Sequence, residues 1–309
     1  MQAETILHPC SIVDLIGNTP LIDLGRLSPQ DGVKILAKAE WFNPGGSIKD
    51  RAARSIILDA EARGALTPSR MLLDSTSGNT GIAYAMIGAA RGYRIKLVVP
   101  ENISPERRRT LKAYGAELVL TDPLEGSDGA QRQAQEICQR EPHLYFYADQ
   151  YNNDANWRAH YQTTGPEIWE QTTGEITHFV AGMGTSGTFC GTTRYLKKRS
   201  PAVQAVAVQP DSPLHGLEGM KHMVTSRIPG IYDPSLADRQ IAVSTEQAQH
   251  MVLHLARSEG LLVGISGGAA AAAAVQLAAE LRRGVIVLIF PDSGTRYLSE
   301  SFWDSDDLR

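Results

Sequence analysis

Cysteine is scarce in this chain, with only Cys10, Cys138 and Cys190 among 309 residues. Their odd number and wide spacing show neither a disulfide framework nor a Cys-x-x-Cys metal site. A reducing compartment, the cytoplasm, is therefore expected. Long apolar runs are also missing. The stretch beginning at Ala269 is alanine-rich and soon reaches Glu280, Arg282 and Arg283, too short and too weakly apolar to span a bilayer, so no membrane partner is expected. Met1-Gln2-Ala3-Glu4-Thr5 has no basic stretch ahead of an apolar one, so no secretory signal is expected. Charge of one sign is not in excess. With 30 Lys+Arg against 34 Asp+Glu, the net charge of −4 lends no support to a nucleic-acid partner. His250 and His254 stand at i and i+4 but lack the glutamate of His-Glu-x-x-His. They read as a solvated helix face, and no metal site is expected.

What is present is an ordinary globular composition, 42% hydrophobic and 21% charged, in a chain long enough for two modest domains. Short β-branched runs at 33–39, 71–74, 94–99, 117–120, 144–147, 178–181, 203–208 and 285–290 read as strands. Longer patterns at 49–63, 80–91, 105–114, 127–140, 157–171, 188–198, 245–259 and 268–283 read as helices. Their alternation predicts an α/β fold of parallel sheets covered on both faces. Gly64 and Gly92 are placed for left-handed helix caps, Pro105 for a first helical turn, and Ser244 with Gln247 for a capping box. The alanines at 269–274 suit a helix packed close to its neighbour. The least regular stretch is 210–233, a loop long enough to be functional or mobile.

Ligands in open α/β folds bind beyond the carboxyl ends of the strands, so the strand-to-helix turns carry the chemistry. Asn43-Pro44-Gly45-Gly46-Ser47-Ile48-Lys49-Asp50-Arg51 leads a Pro-Gly-Gly turn into a helix with lysine in its first turn. A helix N-terminus disfavours the ammonium form, which makes the nucleophilic amine easier to reach. Thr76-Ser77-Gly78-Asn79-Thr80-Gly81 sets hydroxyls and a glycine on another helix N-terminus, a fit for a carboxylate. Gly182-Met183-Gly184-Thr185-Ser186-Gly187-Thr188 has the small residues and hydroxyls of a phosphate cradle, but matches neither a Walker loop nor Gly-x-Gly-x-x-Gly. Gly264-Ile265-Ser266-Gly267-Gly268 is a third such turn. Two anion cradles and an activated lysine are most simply met by pyridoxal 5′-phosphate together with an amino acid.

These segments resemble the cysteine synthase and cystathionine β-synthase family, pyridoxal-phosphate enzymes of the tryptophan-synthase β-subunit fold type (fold type II). So do Leu15-Ile16-Gly17-Asn18-Thr19-Pro20-Leu21 and Pro291-Asp292-Ser293-Gly294-Thr295-Arg296-Tyr297-Leu298-Ser299. The motifs occur in the family's order over nearly the whole chain, from Ile12 to Ser299, and look closer to the B-type O-acetylserine sulfhydrylases than to the A-type. The resemblance implies two doubly wound parallel-sheet domains. A smaller, mobile one at 44–155 holds the substrate carboxylate, and a larger one, 1–43 plus 156–309, holds the cofactor phosphate. It implies Lys49 as the Schiff-base lysine and α-proton base, and Asn79 on the cofactor's ring hydroxyl. Thr76, Ser77, Thr80 and Gln150 would hold the substrate carboxylate, and Gly184, Thr185, Ser186, Gly187 and Thr188 the phosphate. Ser266 would meet the pyridine nitrogen, with Asp292 as its rival; a hydroxyl there leaves the ring largely unprotonated and favours expulsion of a β-substituent. Ser186 stands where glycine is commoner, a change expected to add a hydroxyl at little cost. Gly267 stands where a second serine is frequent.

The implied reaction is β-replacement on an O-activated serine, with sulfide or another thiol as the second substrate and L-cysteine as product. O-acetylserine is the expected donor. O-phosphoserine competes, because Lys221 places a cation where phosphoserine-using relatives carry a basic residue, with Arg227 a second cation in the same loop. Serine with homocysteine, as in cystathionine β-synthases, is the third option. A catalytically silent binding protein on the same fold is opposed by an intact Lys49. A nicotinamide oxidoreductase is disfavoured by the missing Gly-x-Gly-x-x-Gly. The family's usual state implies a homodimer.

Overall fold

The central strands of this chain are apolar on both faces, and that property dictates the architecture. Gly284–Phe290 reads Gly-Val-Ile-Val-Leu-Ile-Phe, with its last five residues buried. A strand so composed needs cover above and below, which a parallel sheet between helical layers supplies. The structure, a computed structural model, describes residues 10–76 and 78–304. Its strands are β1 (Leu21–Asp23), β2 (Val33–Ala39), β3 (Met71–Ser75), β4 (Ile95–Pro100), β5 (Glu117–Thr121), β6 (Tyr145–Tyr147), β7 (His178–Gly182), β8 (Gln204–Pro210), β9 (Arg239–Val243) and β10 (Gly284–Phe290). Its helices are α1 (Lys49–Ala62), α2 (Asn79–Arg91), α3 (Pro105–Ala113), α4 (Gly126–Arg140), α5 (Asp154–Gln162), α6 (Thr164–Gln171), α7 (Gly187–Arg199), α8 (Thr245–Ser258) and α9 (Ile265–Glu280).

Two sheets result. One has six strands in the order β1-β2-β10-β7-β8-β9, and the other four in the order β5-β4-β3-β6. All pairings are parallel except β1 with β2, where Leu21 lies opposite Lys38. Period-two alternation splits the larger core. Ile286, Leu288 and Phe290 face a cluster with Ala269, Ala270, Ala273 and Leu277 of α9. Val287 and Ile289 face the opposite one, with Phe179, Ala181 and Phe189. The alanine run lets α9 approach α8 closely: a Cβ on Gly268 would lie 2.3 Å from the Ala248 carbonyl oxygen.

Several expectations hold at the level of single bonds. Gln247 N donates to Ser244 Oγ at 3.2 Å and Ser244 N to Gln247 Oε1 at 3.0 Å, completing the capping box of α8. Gly92 caps α2 with φ 77°. Others need correction. The helix expected over 157–171 is two, broken at Thr163, because Pro166 has no N–H to donate and tolerates only a place in the first turn of the new helix α6. Two strands gave no sequence signal, β1 and β9, and β1 breaks the all-parallel expectation. No helix or strand occurs between Pro210 and the short 3-10 turn Pro234–Leu236.

Candidate active site

The carboxyl ends of β3, β6, β7 and β10 open onto one cavity of about 260 Å3, lined by residues that follow both sheets. Lys49 enters it as the first residue of α1. The turn before it is pinned: Gly46 N donates to the Asn43 carbonyl at 2.7 Å and Ile48 N to the Pro291 carbonyl at 2.9 Å. Desolvation is the main force on the amine and lowers its proton affinity, while the carboxylates of Asp292 and Glu40 oppose the shift. Burial in the cavity thus keeps a neutral amine within reach.

Behind Lys49 lies a buried ion network. Arg51 gives its Nε to Glu40 Oε2 at 2.7 Å and its Nη1 to Glu167 Oε1 at 2.6 Å. Lys38 Nζ reaches Glu167 Oε2 at 2.7 Å. Thr19 Oγ1 and Asn43 Nδ2 complete the Glu40 carboxylate at 2.7 and 2.8 Å. Burial alone would raise the Glu167 carboxyl, but the hydrogen bonds and charge of Arg51, then Lys38, hold it down at about 2. The ionised form therefore stabilises the fold fully above about pH 4.5, and the benefit fades as pH falls toward 2. Glu167→Gln is expected to cost on the order of 3 kcal/mol at pH 7. It should also flatten the stability profile between pH 4.5 and 2; urea midpoints across that range are the check, and an unchanged acid limb would remove this role.

On the β3–β6 side, Thr76, Gly78, Asn79, Thr80 and Gln150 all line the cavity. Thr80 Oγ1 donates to Gln150 Oε1 at 2.8 Å, and Gln150 Nε2 to the Ser75 carbonyl at 3.3 Å. Asn156 Nδ2 reaches both the Gln150 carbonyl at 2.7 Å and Thr185 Oγ1 at 3.1 Å, tying this side to the next turn. Ser77 lies outside the described residues.

On the β7 side, Gly184, Thr185, Ser186 and Thr188 line the cavity, and Gly187 opens α7. The glycines are sterically required. A Cβ on Gly184 would sit 2.3 Å from the Gly219 carbonyl oxygen, and one on Gly187 would sit 2.0 Å from Asn156 Oδ1. Ser186 takes φ 70°, the left-handed region where a side chain is strained. The serine there costs about 1–2 kcal/mol, which corrects the expectation of little cost. Its Oγ is buried beside the Cys190 thiol. A hydroxyl in a glycine-shaped hollow at a helix N-terminus fits a phosphate. Ser266, in the first turn of α9, also lines the cavity. Amine, phosphate hollow and ring-side hydroxyl are thus a set that fits pyridoxal phosphate.

At the other end, Lys221 lines the cavity beside Tyr151, its Nζ 5.0 Å from the ring centroid, and its backbone N–H donates to the Met183 carbonyl at 2.7 Å. Burial lowers its proton affinity, with Asp128 opposing and Arg227 adding to the shift. Two contributors escaped the sequence reading. His160, neutralised by burial and by the charges of Arg51 and Lys49, sets its Nε2 3.3 Å from Thr188 Oγ1. Glu218 lines the cavity and pairs with Arg107 of α3. The fold brings Glu218 to the cavity and sets His160 behind Thr188, which lines it.

The family model for pyridoxal-phosphate dependent enzymes matches residues 12–292. A curated cysteine synthase of Aquifex aeolicus is 51% identical over 96% of this chain and 93% of its own length. Cysteine synthase B of Escherichia coli is 45% identical over 92% of this chain and 93% of that one. The crystal structure of a cysteine synthase from Entamoeba histolytica superposes with a TM-score of 0.93 at 35% identity, covering 99% of this chain and 94% of that one.

Proposed function

The chain belongs to the pyridoxal-phosphate dependent enzymes, in their cysteine synthase branch, and from that premise we propose that it forms L-cysteine from O-acetyl-L-serine and sulfide, with acetate released. The observation that carries the reading is the single cavity lined by Lys49, by Gly184, Thr185, Ser186 and Thr188, and by Thr76, Thr80 and Gln150. Bound pyridoxal phosphate supplies the aldehyde and the electron-withdrawing ring that make an amino acid's α-proton labile and its β-substituent expellable. Thr185, Ser186 and Thr188, with the backbone of Gly184 and Gly187, hold the phosphate. Asn79 bonds the ring hydroxyl, and Ser266 meets the ring nitrogen with a neutral hydroxyl. Thr76, Ser77, Thr80 and Gln150 orient the substrate carboxylate. Lys49 Nζ anchors the cofactor and then accepts the α-proton, a task suited to an amine of depressed proton affinity. The smaller domain, 44–155, closes over the bound amino acid and excludes water from the larger, 1–43 plus 156–309.

The test is direct. The purified protein should absorb near the visible edge and release cysteine when given O-acetylserine and sulfide. A colourless protein, or one that makes no cysteine, sinks the reading.

Lys221 supports a second donor, O-phosphoserine, since a cation at the cavity wall suits a leaving phosphate. Lys221→Ala is expected to reduce kcat/KM for O-phosphoserine roughly tenfold, the worth of one charge-assisted bond, and to change that for O-acetylserine less than twofold. Equal losses with both donors would remove that role.

We extend the proposal to a cytoplasmic homodimer without nucleic-acid or membrane partners. The slight net negative charge and the free state of Cys10, Cys138 and Cys190 support the compartment and the lack of a nucleic-acid partner; the dimer rests on the resemblance to the family.

A further inference from the structure

The segment after β10 reaches Asn79 from two sides. Asn79 Nδ2 donates to Asp292 Oδ2 at 2.7 Å, and Arg296 Nη1 donates to Asn79 Oδ1 at 2.6 Å. Asp292 is 1% exposed and receives Tyr297 OH on the same oxygen at 2.6 Å. Its Oδ1 is turned toward Gly264, where a Cβ would lie 2.0 Å away. Arg296 is fixed as well. Its Nη2 donates to the Gly45 carbonyl and lies where a Cβ on Gly46 would come within 2.5 Å. Gly46 has φ 78°, so the turn before Lys49 is shaped by a residue that leaves this guanidinium room.

An amide between a carboxylate and a guanidinium has one good orientation. Rotated by half a turn, it would set its oxygen against the carboxylate and its N–H groups against the guanidinium N–H, losing two charge-assisted bonds at once. We propose that Asp292 and Arg296 are positioning residues that lock the Asn79 amide, committing its oxygen and one N–H to the protein so that its second N–H is what it offers the cofactor's ring hydroxyl. The inference rests on the assignment of Asn79 to that hydroxyl. It explains the Pro291–Leu298 motif as an aiming device for a residue 213 positions away from Asp292.

The experiment is a double-mutant cycle on the full chain, reading the dissociation constant of added pyridoxal 5′-phosphate by protein fluorescence and the visible absorption maximum. Asn79→Ala and Arg296→Met are each expected to weaken binding roughly tenfold and to move the maximum in the same direction. Their combination should bind no more weakly than Asn79→Ala alone, and Arg296→Lys, which keeps a donor, should recover most of the affinity. If the two losses multiply, or if Arg296→Met leaves binding unchanged while Asn79→Ala weakens it, the positioning role is overturned and the assignment of Asn79 stands. If Asn79→Ala itself leaves binding and spectrum unchanged, the assignment falls and the positioning role with it. Should Arg296→Met not fold, Asp292→Ala takes its place in the same cycle, with the same criteria.

Discussion

Lys49→Ala is expected to lower turnover by at least about a thousandfold and to remove the absorption of lysine-bound cofactor, with the far-UV circular dichroism unchanged. The size of the effect follows from the two tasks that meet at one atom. Nζ is both the anchor for the aldehyde and the acceptor of the α-proton, and no other amine of the cavity starts a helix beside the Pro291–Asp292 strand end. Lys221, the other cavity lysine, stands against Tyr151. The side chain lines the cavity and belongs to none of the packed apolar clusters, so its truncation leaves the folding core intact. Bound phosphate should survive the change, because its hollow lies on α7. Retention of activity within tenfold of the parent would show that another group takes the proton.

Arg51→Met is expected to destabilise the protein by about 3–5 kcal/mol, the cost of leaving a buried charge without its partner. The side chains of Arg51 and Glu40 are both 0% exposed, so water cannot replace the guanidinium. Glu40 would keep only Thr19 Oγ1 and Asn43 Nδ2. The double variant Arg51→Met with Glu40→Gln removes the stranded charge and should regain a good part of the loss, a coupling that denaturant midpoints of the cofactor-free chain can measure. Since Arg51 lies two residues beyond Lys49, the single variant should also lower kcat more than it changes KM. A loss below about 1 kcal/mol would place this network among ordinary surface pairs.

The parts of the site that were legible in the sequence are those whose chemistry is local. The proposed phosphate hollow needs small residues and hydroxyls in one strand-to-helix turn, and Gly184 to Thr188 offer them there. Lys49 stands out because its turn is so unusual, and Thr76 and Thr80 because they flank the start of α2. Strand positions were legible because parallel strands are apolar runs, and β2 matches its expected range at both ends. What stayed hidden depends on distance. Arg51 and Glu167 are 116 positions apart, and each alone reads as a surface charge. Ser186 gave no sign of its left-handed backbone, because a serine is not the residue that such a conformation favours. Nor did the three-residue strand β1, whose Leu21-Ile22-Asp23 is too short to show a period.

The irregular stretch after β8 is tied to the phosphate hollow at two backbone points. The Gly219 carbonyl closes against Gly184, and Lys221 N–H binds the Met183 carbonyl. Beyond Lys221 no helix or strand forms before the turn at Pro234, but Gly230 N donates to Asn152 Oδ1 at 3.0 Å and Ile231 N to the Tyr151 carbonyl at 3.3 Å. The stretch is thus fastened on both flanks of the cavity, and of its residues only Glu218, Gly219, Met220 and Lys221 line it. Drift in the rest of the loop leaves the lining unchanged, so variation there is expected to alter stability before it alters the substrate accepted.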